Sequence, residues 1–507
     1  MEESPQRRSI YPIVMGAGLT LLFHAASWPG YGYFRDELYY LDCASQLDWG
    51  YVDHPPFSIA ALRVLTRLLG DSVWVLRPSA ALLGAISVGL SVQFAANLGG
   101  SMVAQVIVAT TLALAPGILG VCGFYSMNAW DLLFWALAFL WLARALDGRK
   151  NAWYAFGLCC GLGLQNKFSF LFLAAALGAG LLLSGRYRLF VTKELWLGAA
   201  LAMLVFLPHM LWQIAYGFPT LEFMRNAALH KNMPFDPLGF LSAQAMFAAG
   251  AFPFLIGGLV LPFLSRELRT FRVFAVVGIC LLGLYIIGGG KPYYFLTSYL
   301  FLIPVGAISL ERLVPKCMPY VTRIVIPAIV LLGALFAPYG IPLLPVEAFL
   351  RYQDMLGLAP PQQERAEQGP LPQHFADCFG WPEMVQKISE VYHSLPEAEQ
   401  RQAAIFCGNY GRAAAVNFFG KAEGLPRAIS THNNYFFWGY PENVGSVVIF
   451  YGFRDVASLR DLFMSVEKAA EFDHPLAMPY ERHVPIYVCR NLRVPMAALW
   501  PQLKAFI

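Results

Sequence analysis

Long apolar segments fill the first two thirds of the chain and then stop. A helix needs about 20 apolar residues to cross a hydrocarbon core of about 30 Å. A window of that size finds eleven candidate spans: 11–29, 75–97, 101–122, 128–146, 151–164, 168–184, 194–215, 240–264, 272–288, 293–311 and 324–343. The fifth is the shortest. After residue 344 charged residues become dense, Gln, Glu and Pro accumulate, and no further spanning run follows. The pattern predicts a membrane domain over 1–344 and a soluble domain over 345–507. In the latter, AAIFC (403–407), SVVIFY (446–451) and PIYVC (485–489) read as strands. SLRDLFMSV (458–466) reads as a helix, which makes this a small α/β domain.

Two shorter pieces lie between the first and second spans. Asp36 can cap a helix whose Leu38, Leu41 and Leu47 recur at helical spacing. From Ser58 to Leu69, Ile59, Leu62, Leu65 and Leu69 share one face, and Arg63 and Arg67 share another. Both are too short to span and fit amphipathic helices lying on the membrane surface.

Composition sharpens the class. Of 507 residues, 57% are hydrophobic and only 13% charged. A soluble chain carries about 25% charged residues, so an ordinary soluble enzyme or a disordered chain is excluded. The formal net charge of +4 gives no case for nucleic acid as a partner. The nine cysteines are scattered without a CxxC pair, which argues against structural zinc. Cys378, Cys407 and Cys489 share the C-terminal domain and leave room for one disulfide. The first apolar run is of spanning length and lacks a small-x-small cleavage site, unlike a signal peptide.

Basic residues set the orientation. With the N-terminus inside, fourteen Lys and Arg fall in short inner stretches, beginning with Arg7 and Arg8, and eight in longer outer loops. Eleven spans then put the C-terminal domain outside. That predicts a multi-pass protein of the inner (plasma) membrane with a cytoplasmic N-terminus and an extracytoplasmic, periplasmic C-terminal domain.

The chemistry gathers at the outer ends of the spans. Asp36, Glu37 and Asp53 alternate with aromatic residues in the first outer loop, and Pro55-Pro56 stiffens the turn after His54. Asn128 and Asp131 open the fourth span, where a charge either matches the helix dipole or belongs to a polar site. Asn166-Lys167 fill a tight outer turn, and Arg225, His230 and Lys231 lie in the loop 216–239. Lys291 follows three glycines and precedes Pro292-Tyr293-Tyr294, a setting for an anionic ligand as well as for a snorkelling anchor. No charge falls mid-span, which disfavours a transporter with a midplane site. GNYG (408–411) after the first predicted strand is better read as a turn than as a phosphate loop.

RDELYYLDCASQLDWGYVDHPPF (35–57) resembles the first outer loop of bacterial glycosyltransferase family 39, the protein-mannosyltransferase-like and Rgt-type membrane enzymes of GT-C fold. The similarity continues in GLGLQNKFSFLFL (161–173), GFPTLEFMRNA (217–227) and GGGKPYYFLTSYLFLIP (288–304). In the C-terminal domain it extends to GNYGRAAAVNFFG (408–420), HNNYFFWGYP (432–441) and VCRNLRVPMAALWPQLK (488–504). The resemblance implies a mainly α polytopic GT-C fold of about eleven transmembrane helices with a small extracytoplasmic α/β domain. It implies transfer of a monosaccharide from a polyprenyl-phosphate donor to an acceptor hydroxyl on the outer face, with inversion. The acceptor would be a glycolipid of the lipid A or lipopolysaccharide type, or a protein.

The family's acidic residues map onto Asp36-Glu37 and Asp53. Asp36 is the first choice as base and Asp53 the second, or a positioning group. Some relatives carry lysine after the second acid, where this chain has His54; Lys291, Lys167, Arg225 and Lys231 are the other candidates for the donor phosphate. Asn128, Asp131 and Tyr293 would line the site. The residues establish no cofactor, although Asp36, Asp53 and His54 could contribute to a divalent-metal site of the kind found in some relatives. The competing functions are a lipid-linked-sugar flippase and an oligosaccharyltransferase.

Overall fold

The computed structural model describes residues 10–28, 30–317, 320–360, 362, 364–442 and 444–507. Arg7 and Arg8 lie outside the described residues. The chain forms two compact units, each built from separated stretches of sequence. The first comprises Met1–Gly30, Ser72–Met210 and Pro234–Pro345; the second comprises Tyr31–Asp71, Leu211–Met233 and Val346–Ile507. The second unit thus contains the first loop and part of the loop 216–239 along with the C-terminal region.

All eleven predicted spans are helical at their cores. Among the described residues, seven helices are long and apolar enough to cross a membrane, and four shorter apolar helices accompany them. The short ones are Tyr11–Ser27, Met102–Ala113, Ala152–Leu164 and Ser169–Leu183, so the fifth predicted span is indeed brief. Pro116 ends the third span's first helix by starting a new one, Pro116–Val121. The eighth is interrupted between Ala248 and Phe252.

The interior of this first unit is packed with aromatics and glycines. Phe139 stacks on Phe301 with ring centroids 3.8 Å apart, and Phe94 meets Phe274 edge-on. Water cannot drive helices together inside a bilayer, so close backbone approach must supply dispersion contacts instead. Gly306 provides one: a Cβ there would overlap the carbonyl of Phe254 on the helix Phe252–Leu264.

The second unit holds a four-stranded sheet of order β1-β2-β4-β3. Its strands are β1 (Ala403–Cys407), β2 (Val447–Tyr451), β3 (Phe463–Phe472) and β4 (Val484–Leu492). β1 runs parallel to β2, with Ile405 opposite Ile449; the β2/β4 and β4/β3 pairs are antiparallel. β1 and β2 are buried throughout, as their unbroken apolar runs require.

β3 corrects the sequence reading. The helix predicted over 458–466 ends at Leu462, and Phe463–Phe472 is a strand. Lys468, Glu471 and two alanines favour a helix locally, but pairing with β4 supplies the hydrogen bonds, and only Phe463 and Phe472 of the strand are fully buried. The room left for a disulfide in this region is not used: Cys378, Cys407 and Cys489 are free, buried thiols.

The first loop folds as two helices, Arg35–Ser45 and Phe57–Leu69. Asp36 does not cap the first; it lies within the first turn, after Phe34. On the second helix Ser58, Ile59 and Leu62 face inward, while Val64, Leu68 and Leu69 are exposed. Large apolar side chains on an outward face suit an interfacial helix.

Candidate active site

Each unit gathers a set of the predicted residues. In the second unit the helix Arg35–Ser45 sets the geometry. Its buried face carries Leu38, Tyr39, Tyr40 and Cys43. Asp42 fixes it in place, accepting from Asn417 Nδ2 at 2.7 Å, from Arg427 Nη2 at 2.7 Å and from the Tyr435 hydroxyl.

The three first-loop carboxylates then separate by environment. Glu37 is wholly buried, and its Oε2 accepts from the Phe34 N–H at 3.0 Å, the capping contact of the first turn. Asp53 accepts from the Tyr39 hydroxyl at 3.1 Å, and its side chain is 17% exposed. Burial pushes its carboxyl above the usual range, opposed by His54 and the Tyr39 hydroxyl and helped by the charge of Asp36. Asp36 is the most open, with 34% of its side chain exposed. Its Oδ1 accepts from the Tyr410 hydroxyl at 2.8 Å and lies 3.6 Å from Arg35 Nε.

Arg35 anchors the surroundings. Nη1 donates to the Tyr480 hydroxyl at 2.8 Å, Nη2 lies 3.4 Å from Asp377 Oδ2, and Tyr480 donates onward to Asp377 Oδ1 at 3.2 Å. Burial raises the Asp377 carboxyl to about 6, against the pull of Arg35. An open pocket of about 250 Å³ adjoins this group, with Tyr410, Arg35 and Tyr480 in its wall together with Lys231, Arg365 and Glu364. Lys231 Nζ is 3.9 Å from Glu364 Oε1. The pocket has more cationic than anionic side chains, which suits an anionic group.

His54 does not face such a pocket. Its ring is buried among Tyr40, Tyr51 and Tyr39, with Nδ1 3.0 Å from the Pro55 carbonyl and Nε2 3.8 Å from Asp53 Oδ1. It is a buried histidine packed in an aromatic core. Among the described residues no three His, Cys, Asp or Glu side chains converge as a metal site, so Asp36, Asp53 and His54 do not form one. Arg225 is exposed at the end of the helix Pro219–Asn226.

The first unit brings together four other predicted residues. Ser126 caps the helix Met127–Leu146, and Asn128 and Asp131 share a face three residues apart. Lys167 reaches both, with Nζ 2.8 Å from Asn128 Oδ1 and 3.5 Å from Asp131 Oδ2. The Ser169 hydroxyl donates to Asp131 Oδ1 at 2.7 Å. The ammonium lies over the rings of Tyr293 and Tyr294, at 5.5 and 4.8 Å from their centroids. Lys291 is half-buried just before the turn Pro292–Phe295. The glycines ahead of it close a helix: Gly288 and Gly290 N–H groups bind back to Leu284 and Tyr285, and Gly289 has φ +63°.

Tyr410, Asp377, Tyr480 and His432 were not among the predicted site residues. The first three find their partners on the helix Arg35–Ser45, hundreds of residues away in sequence, and the one local signal was the Asn-Tyr-Gly opening of the helix Tyr410–Phe419.

A helical membrane unit of eleven apolar segments, joined in one chain to an α/β unit, has the architecture of the GT-C membrane glycosyltransferases. The comparisons fix that fold. ArnT from Cupriavidus metallidurans bound to undecaprenyl phosphate superimposes with a TM-score of 0.59 at 14% identity, covering 94% of this chain and 98% of that one. The apo state of the same enzyme gives 0.57 at 14% identity, over 94% and 97%. Residues 53–212 match the family profile of the dolichyl-phosphate-mannose-protein mannosyltransferases. No curated protein sequence matches the chain significantly. The chain is a multi-pass membrane protein of GT-C fold.

Proposed function

We propose that the chain transfers a monosaccharide from a polyprenyl phosphate to an acceptor hydroxyl, with inversion, at the extracytoplasmic face of the inner membrane. The N-terminus is then cytoplasmic and the second unit periplasmic. The fold shared with ArnT and the profile match over residues 53–212 support the class. One observation carries the residue assignment: of the three first-loop carboxylates, Asp36 is the most open and stands beside a cation-rich pocket.

In this reading the acceptor oxygen attacks the anomeric carbon as its proton passes to Asp36. The bond from that carbon to the phosphate oxygen breaks, and polyprenyl phosphate leaves with the electron pair. A hydroxyl is too weak a nucleophile without such a base, whose contribution is typically about 10²–10⁴-fold. Asp53 is a positioning group. Lys231 in the pocket, and Lys167 and Lys291 in the first unit, are the candidates for meeting the phosphate charge that grows in the transition state. The acceptor is a glycolipid or a protein.

The test is transfer from a panel of radiolabelled polyprenyl-phosphate sugars into a membrane extract by purified wild type and Asp36→Asn. Label should enter an extractable product with wild type and fall by at least a hundredfold with the variant at equal folded yield. Equal transfer by both removes Asp36 as base. No transfer from any donor, with lipid-linked sugar crossing proteoliposome membranes instead, replaces the enzyme with a flippase.

A further inference from the structure

We infer that Tyr410 is a positioning residue for Asp36, and that the GNYG stretch exists to deliver its hydroxyl; this rests on the function proposed above. Asp36 has two possible donors on its Oδ1 side. The buried Arg35 Nε–H makes no hydrogen bond and lies 3.6 Å from Oδ1. The Tyr410 hydroxyl occupies Oδ1 first, at 2.8 Å. A carboxylate closed onto a guanidinium would be a poor base, because the cation stabilises the charged form that must take up a proton. Tyr410 holds Oδ1 by a neutral donor and keeps the pair from closing, which leaves Oδ2 to the acceptor.

Three devices fix the tyrosine. Asn409 caps the helix, its Oδ1 accepting from Arg412 N–H at 2.9 Å. His432 accepts the otherwise orphaned Tyr410 N–H on Nδ1 at 3.2 Å, while its Nε2 meets the main-chain oxygen of Ile507 at 2.6 Å. That oxygen can only accept, so the proton sits on Nε2 and the imidazole is neutral. Gly411 allows the approach: a Cβ there would overlap Arg35 Cγ and Cδ. The ring itself is gripped by Arg35 at 5.4 Å and by Tyr39 at 4.7 Å. The other charges near Asp36 are Asp53 and Asp377.

The experiment measures steady-state transfer by full-length wild type, Tyr410→Phe and Tyr392→Phe with the polyprenyl-phosphate sugar that wild type uses. Tyr410→Phe removes one oxygen and should lower kcat about ten- to a hundredfold, with KM for donor and acceptor within about twofold. Tyr392→Phe strips a hydroxyl that donates to the Gln400 carbonyl elsewhere in the second unit, and should keep kcat within about twofold. Gly411→Ala, which crowds Arg35 Cγ and Cδ beside the Tyr410 ring, should also lower kcat. A Tyr410→Phe enzyme with wild-type kcat overturns the inference, as does an equal kcat loss in Tyr392→Phe. If Asp36→Asn retains full activity, the function assigned to Asp36 fails instead, and the two failures are thereby distinguished.

Discussion

Lys167 pairs with Asp131 and is also proposed to meet the donor phosphate, and one pair of substitutions divides the two roles. Its ammonium lies 3.5 Å from Asp131, whose side chain is 3% exposed against 14% for the lysine. At an effective dielectric of about 20 that separation is worth about 5 kcal/mol of attraction before desolvation is subtracted. Removing the cation alone strands a buried carboxylate, so Lys167→Met should cost about 3–5 kcal/mol of stability. Adding Asp131→Asn removes the stranded charge while its side-chain oxygen can still accept from Ser169. The double variant should recover all but about 1 kcal/mol of the loss, a coupling read directly from the cycle. Unfolding of the purified protein titrated with SDS measures each stability. A single variant within about 1 kcal/mol of wild type, or a double variant no better than the single, would refute the pairing. The recovered double variant then tests the second job. Its KM for the polyprenyl-phosphate sugar should rise at least tenfold if Lys167 meets the donor, and an unchanged KM removes it from the site.

Two buried groups give the second unit opposed pH dependences. Asp377 keeps its proton to about pH 6 when folded but loses it near 3.8 when unfolded, so its contribution is complete below about pH 4 and falls as pH rises to 6. His432 is held by burial at about 3 against 6.5 unfolded; its contribution is complete above 6.5 and falls as pH drops toward 3. Chemical denaturation should therefore show stability rising with pH across 4–6 in Asp377→Asn and falling across it in His432→Gln, each by up to about 1.4 kcal/mol per unit. In the first unit, Gly306→Val should abolish a monodisperse folded fraction on size-exclusion chromatography, because its Cβ meets the Phe254 carbonyl. Gly283→Ala, with nothing within 4 Å, should leave the elution profile unchanged.

The spans were readable because bilayer solvent imposes length and composition on every one of them, down to the brief 151–164. β1, β2 and the first six residues of β4 were readable for the related reason that fully buried strands are unbroken apolar runs. β3 was not: MSVEKAAE has helical composition, and its state is decided by the edge of β4, which lies beyond any local window. The candidate residues divided in the same way. Lys167, Asn128, Asp131 and Tyr293 are few polar groups at the ends of apolar segments, and they meet. Glu37 and His54 have the right chemistry in the right loop, but which way each side chain turns depends on packing; one caps a helix and the other fills a core. Tyr410 and Asp377 stayed hidden because their meaning comes only from helix Arg35–Ser45, with which they share no sequence neighbourhood.

The discontinuity of the second unit also has a cost in time. Asp42 is separated from Asn417 by 375 residues. At a synthesis rate of about 5–20 residues per second, roughly 20 to 75 s pass between the two. For that interval the helix bearing Asp36 has been made while the chain that satisfies Asp42 has not. Its tyrosines and the outward leucines of Phe57–Leu69 must meanwhile find shelter, and the membrane surface is the nearest. Interfacial helices here would serve biogenesis before they serve catalysis: they park the first loop until the last third of the chain arrives to complete it.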